Sequence, residues 1–337
     1  MNPKWYRRIA VITALLVSSG VVVMATGATP ATASSASNYT IAFVPKLVGI
    51  PYFAALEQGM MQASHRFGGK LIFEGPTTAS VSGQDEDVQA LIAQKVSAIG
   101  VSGDSPSSVC PLFSQAVRKH ILVFWSDSFV TCSSLKLGIS EVNNQQYANV
   151  MVDVLASQTH GSGEVAFESV GSTAATNNLW ISYAKLRLKK YPGLHLVSIQ
   201  YGGESITGAE QITSKLLAAY PNLKGIVGFG STDLPGAAEA VIEAGKVGKI
   251  VLTGCSDPNT IRPYVEDGAI KTAEIWNPVN LGYLTYWGVL QMLEGHTFTA
   301  ENVVPGLAGT HTYDASIHTL FLGAPLLITK ANVNLNF

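Results

Sequence analysis

The chain has 337 residues, of which 47% are hydrophobic and 13% are charged, and its formal net charge is −2. This length is sufficient for two ordinary domains, each with its own hydrophobic core. The near-neutral balance of charge argues against a nucleic-acid-binding surface, because phosphate contacts need clustered lysine and arginine.

The first residues have the pattern of a secretory signal peptide. A basic stretch that ends at Arg8 precedes an apolar run from Ile9 to Ala25, and small residues with an A-x-A pattern follow. We therefore expect residues 1–36 to be removed during export, with an uncleaved membrane anchor as the alternative. No cysteine lies near the predicted cleavage region, so a lipid-anchored form is not expected. The rest of the chain is then predicted to be periplasmic.

From Tyr39 to about Gly295, short apolar runs alternate with segments of helical periodicity. The predicted strands lie in TIAFVP, KLIFEG, VSAIGVSG, ILVFWSD, LKLGIS, GEVAFESV, LHLVSIQY, LKGIVGFG, GKIVLTGC and IKTAEIW. The predicted helices between them are Tyr52–Arg66, Asp85–Lys95, Pro106–Lys119, Gln145–Gln158, Leu179–Lys190, Ala209–Ala219 and Leu234–Ala244. One more helix is predicted in NPVNLGYLTYWGVLQMLEG, and two late strands in HTLFLGAPLLITKANV.

Regular alternation of strand and helix is typical of parallel sheets that are covered by helices. Ten strands are many for one twisted sheet, whereas two sheets accommodate them readily. The predicted fold class is therefore α/β, with two doubly wound parallel-sheet lobes. A boundary between them is indicated near residues 138–146, where a strand leads directly into a new amphipathic helix.

The three cysteines fit an oxidising compartment. Cys110 and Cys132 are close in sequence, and a disulfide between them would stabilise the fold by roughly 3 kcal/mol in the entropic description of loop closure. Cys255 ends an apolar run and is interpreted as a small buried thiol. No cysteine or histidine pair has the spacing of metal ligands, so no metal site is expected.

Open parallel sheets bind ligands at the carboxyl ends of their strands. Polar side chains and rings alternate at these ends, a mixture that suits a neutral sugar or polyol, whose C–H faces stack on rings and whose hydroxyls donate and accept hydrogen bonds. The predicted ligand-binding residues are Lys46, Tyr52, Phe53, Asp104, Trp125, Asp127, Thr176, Asn177, Trp180, Phe229, Ser231, Asp257, Trp276 and Asn277.

Some of these residues also suit a purely structural role. Tyr52 and Phe53 begin a predicted helix, so one of the two rings fits the core as well as the ligand. Asp127 could cap a turn, and Trp125 and Trp180 could be packing residues. Lys46 is favoured as a ligand contact, because lysine is seldom buried without a partner.

No motif of an enzyme stands out in the sequence. It contains no G-x-S-x-G elbow, no Walker A sequence, no complete dinucleotide fingerprint and no H-E-x-x-H pattern. Asp104 and Asp127 would be the candidate acids if the protein were a secreted hydrolase. We therefore expect a binding protein that uses no cofactor rather than an enzyme.

Five stretches carry a resemblance to a known family. They are IAFVPKLVGIPYF, GPTTASVSGQ, SPSSVCP, DPNTIRPYVEDG and IWNPVNLG. They resemble the sugar-type periplasmic substrate-binding proteins of ABC importers, in particular the group with the rhamnose-binding and Lsr-type autoinducer-binding proteins, relatives of the ribose-binding protein. The resemblance implies a type I periplasmic binding protein, a monomer whose two lobes close on a small molecule and present it to an ABC permease.

The resemblance also implies roles for single residues. Lys46 matches the lysine that holds the ligand in Lsr-type proteins, and Tyr52 and Phe53 match rings that stack on sugar in ribose-binding relatives. Asp127 matches a family aspartate after a shift of one residue. Trp276 lies where a polar contact usually comes from the segment that crosses between the lobes.

Two departures from the family bear on the ligand. An Asp-Gln pair that grips the autoinducer is replaced by Thr176-Asn177, and a Pro-Asp-Ala stretch is replaced by Phe229-Gly230-Ser231. Losing a carboxylate changes which hydroxyls find a partner, and an unpaired buried polar group costs roughly 1–3 kcal/mol. A pentose, a deoxyhexose or a sugar alcohol is therefore expected rather than the autoinducer.

In this family three segments cross between the lobes, here expected near Ser140-Glu141, near Trp276-Asn277 and around Gly309 to Tyr313. The amino-terminal lobe is then predicted to contain residues 37–140 and 277–310, and the carboxy-terminal lobe residues 141–276 and 311–337. A receptor that signals through a sensor protein is the alternative function, followed by a secreted hydrolase.

Overall fold

The computed structural model describes residues 38–337. The predicted signal peptide, residues 1–36, lies outside the described residues. Between residues 38 and 337, no helix combines the length and the apolar character that crossing a membrane requires.

Strands and helices alternate along most of the described chain. The strands are β1 (Thr40–Val44), β2 (Lys70–Phe73), β3 (Ala98–Val101), β4 (Leu122–Ser126), β5 (Leu137–Ser140), β6 (Ser162–Ser169), β7 (Gly193–Tyr201), β8 (Leu223–Gly228), β9 (Val251–Gly254), β10 (Ala273–Ile275), β11 (Glu301–Asn302), β12 (His311–Asp314), β13 (Thr319–Phe321) and β14 (Leu326–Ile328). The helices are α1 (Pro51–Phe67), α2 (Val81–Gln94), α3 (Cys110–Arg118), α4 (Asn144–Gln158), α5 (Ala175–Leu188), α6 (Ile206–Ala219), α7 (Asp233–Glu243), α8 (Pro258–Glu266) and α9 (Pro278–Leu293).

Two sheets follow the same strand order. In the first, β2, β1, β3, β4 and β5 are neighbours in that order and all pair in parallel. In the second, β7, β6, β8 and β9 form the corresponding parallel order. The order 2-1-3-4-5 places a topological switch point beside the first strand of each sheet, where ligands of open α/β sheets bind. The predicted fold class of two doubly wound lobes is confirmed.

The local sequence accounts for most of these elements. All ten apolar runs form β1 to β10, and the two late strands that were predicted are β13 and β14. Helix α8 was not predicted: it has nine residues and contains Pro263, which weakens the helical pattern. The two-residue strand β11 and the neighbouring β12 were also missed, because such short segments carry little periodicity.

The carboxy-terminal segment corrects the predicted domain boundary. Strand β13 pairs in parallel with β5, and β12 pairs with β13, so both strands extend the first sheet. Only β14 returns to the second lobe, where it pairs antiparallel with β10. The third crossing therefore falls between Phe321 and Leu326, and not around Gly309 to Tyr313. The pairing of β13 with β5 joins distant parts of the chain, which the local pattern does not encode.

Helices α1 and α9 pack closely at the base of the cleft between the lobes. A Cβ atom added to Gly59 would overlap the carbonyl of Val279, and one added to Gly282 would overlap the carbonyl of Leu56. These two glycines thus allow the helix backbones to approach each other. The contact matters for the site, because both helices begin at the cleft.

The structure contains the disulfide that the spacing favoured. Cys110, at the start of α3, is bonded to Cys132, with a Cα–Cα distance of 5.2 Å. Cys255 is a free buried thiol, in agreement with its interpretation from the sequence. No group of three or more histidine, cysteine or acidic side chains among residues 38–337 could hold a metal ion.

Candidate functional site

A small cavity lies between the lobes at the carboxyl ends of the strands. Both lobes line it, and its volume is ≈ 30 Å³. Nine of the predicted ligand-binding residues line this central cavity; they are Lys46, Tyr52, Phe53, Asp127, Asn177, Trp180, Phe229, Ser231 and Trp276. The residues that the sequence interpretation did not name as ligand contacts are Ile50, Ser128, Val170, Glu204, Gly230 and Cys255.

Lys46 is the cation of the central cavity. It follows β1, is buried, and its ammonium lies 3.2 Å from a carboxylate oxygen of Glu204, which follows β7 in the second lobe. Burial lowers the pKa of Lys46, but the carboxylates of Glu204, Asp127 and Asp104 outweigh burial and raise it above its usual value. The side chain is therefore charged at neutral pH and has hydrogen bonds to donate.

Asp127 is held by two hydroxyl groups at the end of β4. One carboxylate oxygen accepts a hydrogen bond of 2.5 Å from the Tyr52 hydroxyl, and the other accepts one of 2.5 Å from the Ser102 hydroxyl. The backbone of Asp127 has φ 70°, in the left-handed region that few residues other than glycine adopt. Such conformations concentrate at functional sites, because the surrounding structure must offset their cost.

A cluster of aromatic rings from both lobes forms one wall of the central cavity. The indole nitrogen of Trp276 donates a hydrogen bond of 3.1 Å to the hydroxyl oxygen of Tyr52. Ring centroids lie 6.0 Å apart for Tyr52 and Trp276, and 5.9 Å apart for Trp180 and Trp276. Tyr147, which sequence reasoning did not name, packs behind this wall 5.3 Å from Trp276. Rings with polar tips at this edge can stack on a sugar and orient its hydroxyls.

Both rings of the Tyr52-Phe53 pair face the central cavity. They contact each other edge to face, with centroids 5.2 Å apart. Burial, and then the Asp127 carboxylate, raise the pKa of Tyr52 well above its usual value, so its hydroxyl stays protonated and donates to Asp127. Phe53 offers an apolar surface without a polar atom. The two residues therefore supply different contacts to the same space.

Asn177 and Phe229 form part of the second lobe's side of the cavity. The side-chain amide of Asn177 donates a hydrogen bond of 2.8 Å to the carbonyl oxygen of Phe229. This bond connects the start of α5 with the loop after β8. It leaves the side-chain oxygen of Asn177 as an acceptor at the cavity.

Five of the predicted contacts lie elsewhere. Asp257 and Asn277 cap α8 and α9, where they accept hydrogen bonds from the backbone N–H groups of Thr260 and Asn280. Thr176 accepts from the backbone of Phe129, a contact that joins the lobes beside the cavity. The remaining two are Asp104, which lines a neighbouring cavity, and Trp125, whose ring packs over Gly138. Position at a strand end alone does not separate residues that cap helices from residues that line the cavity.

Several buried carboxyl groups surround the site. Burial raises the pKa of Asp104 to about 6, although the nearby Lys46 acts in the opposite direction. Burial raises the pKa of Asp233, below the loop that carries Phe229, to about 8. Burial, and then the charge of Asp127, raise the pKa of Glu141 at the first crossing well above its usual range. Asp233 is thus largely protonated at neutral pH and adds little charge to the cleft.

Comparisons with known proteins agree with this geometry. Residues 41–297 match the model of the periplasmic binding protein domain. The chain is 24% identical over 239 residues to the D-ribose/D-allose-binding protein of Pseudomonas aeruginosa, covering 68% of this chain and 74% of that protein. It is also 24% identical over 261 residues to the D-allose-binding periplasmic protein of Escherichia coli, covering 74% and 82%.

Solved structures of similar shape include sugar-bound receptors. An ABC transporter solute-binding protein from Clostridium phytofermentas with bound L-rhamnose has a TM-score of 0.84 and 27% identity, covering 89% of this chain and 98% of that chain. LsrB from Clostridium saccharobutylicum in complex with AI-2 has a TM-score of 0.83 and 22% identity, covering 88% and 100%, and shows a shared fold. The family match covers most of the chain, from the first strand to the helix that follows the second crossing. The chain belongs to the periplasmic binding protein domain family, as its sequence motifs indicated.

Proposed function

We propose that this protein captures a small neutral sugar between its lobes and delivers it to an ABC permease. The observation that carries the proposal is the central cavity, where Lys46 and Asp127 lie beside the rings of Tyr52, Phe53 and Trp276. These residues offer hydrogen-bond donors, hydrogen-bond acceptors and stacking surfaces together, which the recognition of a sugar ring and its hydroxyls requires. No step of covalent chemistry is needed for this activity.

The ligand class follows from the relatives and from the cavity. Two curated relatives bind D-ribose or D-allose by name, and a solved structure at 27% identity holds L-rhamnose. Lys46 is flanked by the acidic groups Asp127 and Glu204, so a ligand with a full charge of either sign would meet a like charge nearby. A neutral aldose or sugar alcohol satisfies both kinds of group.

The mechanism is closure of the lobes around the sugar. Three segments cross between the lobes, and bending them moves the two sheets as separate bodies. A sugar that contacts both lobes favours the closed arrangement, because it forms its full set of bonds only there. We further propose that the protein acts as a monomer outside the cytoplasm, after the predicted signal peptide has been removed.

A thermal-shift screen of the purified protein tests the proposal. The panel is L-rhamnose, D-ribose, D-allose and D-arabinose, together with ribitol and AI-2. We expect saturable stabilisation by at least one neutral sugar, since a ligand that binds only the folded state raises the melting temperature. Recovery of the sugar unchanged after incubation would support a receptor, whereas its conversion to a product, or the absence of any shift across the panel, would contradict the proposal.

A further inference from the structure

The Lys46–Glu204 ion pair spans the cleft. Lys46 follows β1 of the first sheet and Glu204 follows β7 of the second, and their side chains are only 7% and 9% exposed. Among the ion pairs of residues 38–337, the other two, Arg187–Asp153 and His296–Glu294, each join residues of one lobe. The pair is therefore an electrostatic link between the lobes at the candidate site.

Lys46 and Glu204 line both the central cavity and its neighbour. A side cavity of ≈ 220 Å³, lined by Lys46, Asp104 and Glu204, lies next to the central one. Glu204 also borders an outer cavity of ≈ 840 Å³. Glu204 lines all three cavities, so its side chain has free space on more than one side.

The contact between Lys46 and Glu204 narrows the central cavity. A volume of ≈ 30 Å³ accommodates about two waters, because one water needs roughly 10–15 Å³ by this measure. A monosaccharide ring is several times larger, so a lining group that can withdraw would make room for it. The Tyr52 hydroxyl joins Asp127 and Trp276, because it donates a hydrogen bond to Asp127 and accepts one from Trp276. Within the described part of the chain, Glu204 is bonded through its carboxylate to Lys46 alone.

The backbone beside Glu204 suits such a movement. Gly202 and Gly203 precede it, and Gly203 has φ 78°. Ser205 follows and caps α6 by accepting a hydrogen bond from the N–H of Gly208. Glu204 thus lies between a two-glycine segment and the capped start of helix α6. Glycine tolerates the backbone rotations that such a shift requires.

We propose that Glu204 is a specificity-determining residue that binds the ligand together with Lys46. This proposal rests on the proposed function. One sugar hydroxyl enters between the ammonium and the carboxylate, where it accepts a hydrogen bond from Lys46 and donates one to Glu204. Inserting an oxygen with ordinary hydrogen-bond lengths moves the two groups apart by roughly 1–2 Å. The direct link between the lobes becomes a link through the ligand.

This arrangement selects a hydroxyl over other groups. A ligand ammonium would face Lys46, and a ligand carboxylate would face Glu204 and Asp127, so each would leave like charges close together in a buried space. A hydroxyl donates and accepts at once and leaves neither partner unpaired. Glu204 therefore contributes both to closing the lobes and to rejecting charged sugars.

The variants Glu204→Ala and Glu204→Gln test this proposal. The control is Glu243→Ala, which changes an exposed acidic residue at the end of α7. With L-rhamnose, D-ribose and D-allose as probes in calorimetric titrations, we expect Glu204→Ala to weaken binding at least about ten-fold, the effect of losing a charged hydrogen-bond partner. Glu204→Gln keeps an acceptor and should lie between wild type and Glu204→Ala. Glu243→Ala should bind as wild type. Unchanged or tighter binding by Glu204→Ala would overturn the inference.

A second measurement needs no ligand. With spin labels on one surface position of each lobe, Glu204→Ala should shift the interlobe distances toward open forms in buffer without sugar, whereas Glu243→Ala should not. If Glu204→Ala leaves the distribution of interlobe distances unchanged, the proposed link between the lobes through Lys46 and Glu204 is refuted. This outcome does not depend on whether any probe sugar binds. If no compound of the thermal-shift panel stabilises wild type, the proposed function fails as a separate result.

Discussion

At the scale of single residues, Asp127 combines the strongest signs of a functional role. Its left-handed backbone, its two hydroxyl donors and its burial all occur at the end of β4. The carboxylate also adds to the negative potential that keeps Lys46 charged. One strained residue thus connects a ring, a serine and the cation of the site.

Asp127→Asn should weaken sugar binding at least about ten-fold while the fold stays intact. Asparagine tolerates the left-handed conformation and retains one acceptor, but it removes the charge that strengthens the hydrogen bonds. Calorimetric titration with the sugar that stabilises wild type measures the effect. Asp257→Asn is the control, because Asp257 caps α8 and does not line the central cavity. Equal affinities for the two variants would remove Asp127 from the site.

At the scale of elements, the packing of α1 against α9 determines where the aromatic rings lie. Tyr52 and Phe53 are in the first turn of α1, and Trp276 lies two residues before α9. Gly59 and Gly282 allow these helices to approach until one backbone touches the other. A larger residue at the crossing would push the helix starts, and with them the rings, apart.

Gly282→Ala should destabilise the protein by about 1–3 kcal/mol or more, because the added methyl group overlaps the backbone of Leu56. Gly288→Ala in the same helix is the matched control. There the added Cβ meets its nearest neighbour, a side-chain atom of Leu320, at 3.4 Å, and the gain in helix propensity should leave stability equal or higher. Urea unfolding of both variants gives the comparison; similar losses would show that the close approach is unimportant.

At the scale of the whole molecule, buried carboxyl groups control how stability depends on pH. Burial raises the pKa of Asp233 and of Glu274 to about 8, and that of Asp104 to about 6. Between the usual carboxyl pKa near 4 and these values, the folded state holds protons that the unfolded state has released. The free energy of unfolding therefore falls as pH rises across this window.

The protein should accordingly melt at a higher temperature at pH 5 than at pH 8. Asp233→Asn should reduce this difference, because asparagine cannot ionise and its side-chain oxygen still accepts the hydrogen bond from the N–H of Gly230. Asp314→Asn is the control: Asp314 is exposed, and hydrogen bonds from Ser316 lower its pKa instead. Calorimetric scans at the two pH values measure the difference. A melting temperature that rises from pH 5 to pH 8 would contradict the assignment.

Much of the fold was predictable because the information is local. The ten apolar runs that became β1 to β10 and the helices between them follow from the spacing of hydrophobic residues. Lys46 and Asp127 could be proposed as site residues because parallel strands direct their carboxyl ends to one edge. The pairing of Cys110 with Cys132 followed from their short separation.

Asp257 and Asn277 show where the same reasoning stops. They too follow strands, but their side chains cap helices, since each has a backbone N–H three residues ahead to bind. Asn and Asp serve either purpose, and only the three-dimensional position of the turn decides between them. The place of β12 and β13 in the first sheet likewise depends on pairing with β5, far earlier in the chain.

The sequence by itself therefore determined the α/β alternation, the family and the strand ends at which a ligand could bind. Only the tertiary structure decided which of those ends meet, and it added Glu204, which lies 158 residues from Lys46 in the chain. Glu204 follows β7 and two glycines and precedes a helix cap, a strand-end position of the same kind as those of residues that only cap helices. The fold of the two lobes brings its carboxylate next to the ammonium of Lys46 in a space from which water is largely excluded, and such proximity exists only in the folded chain.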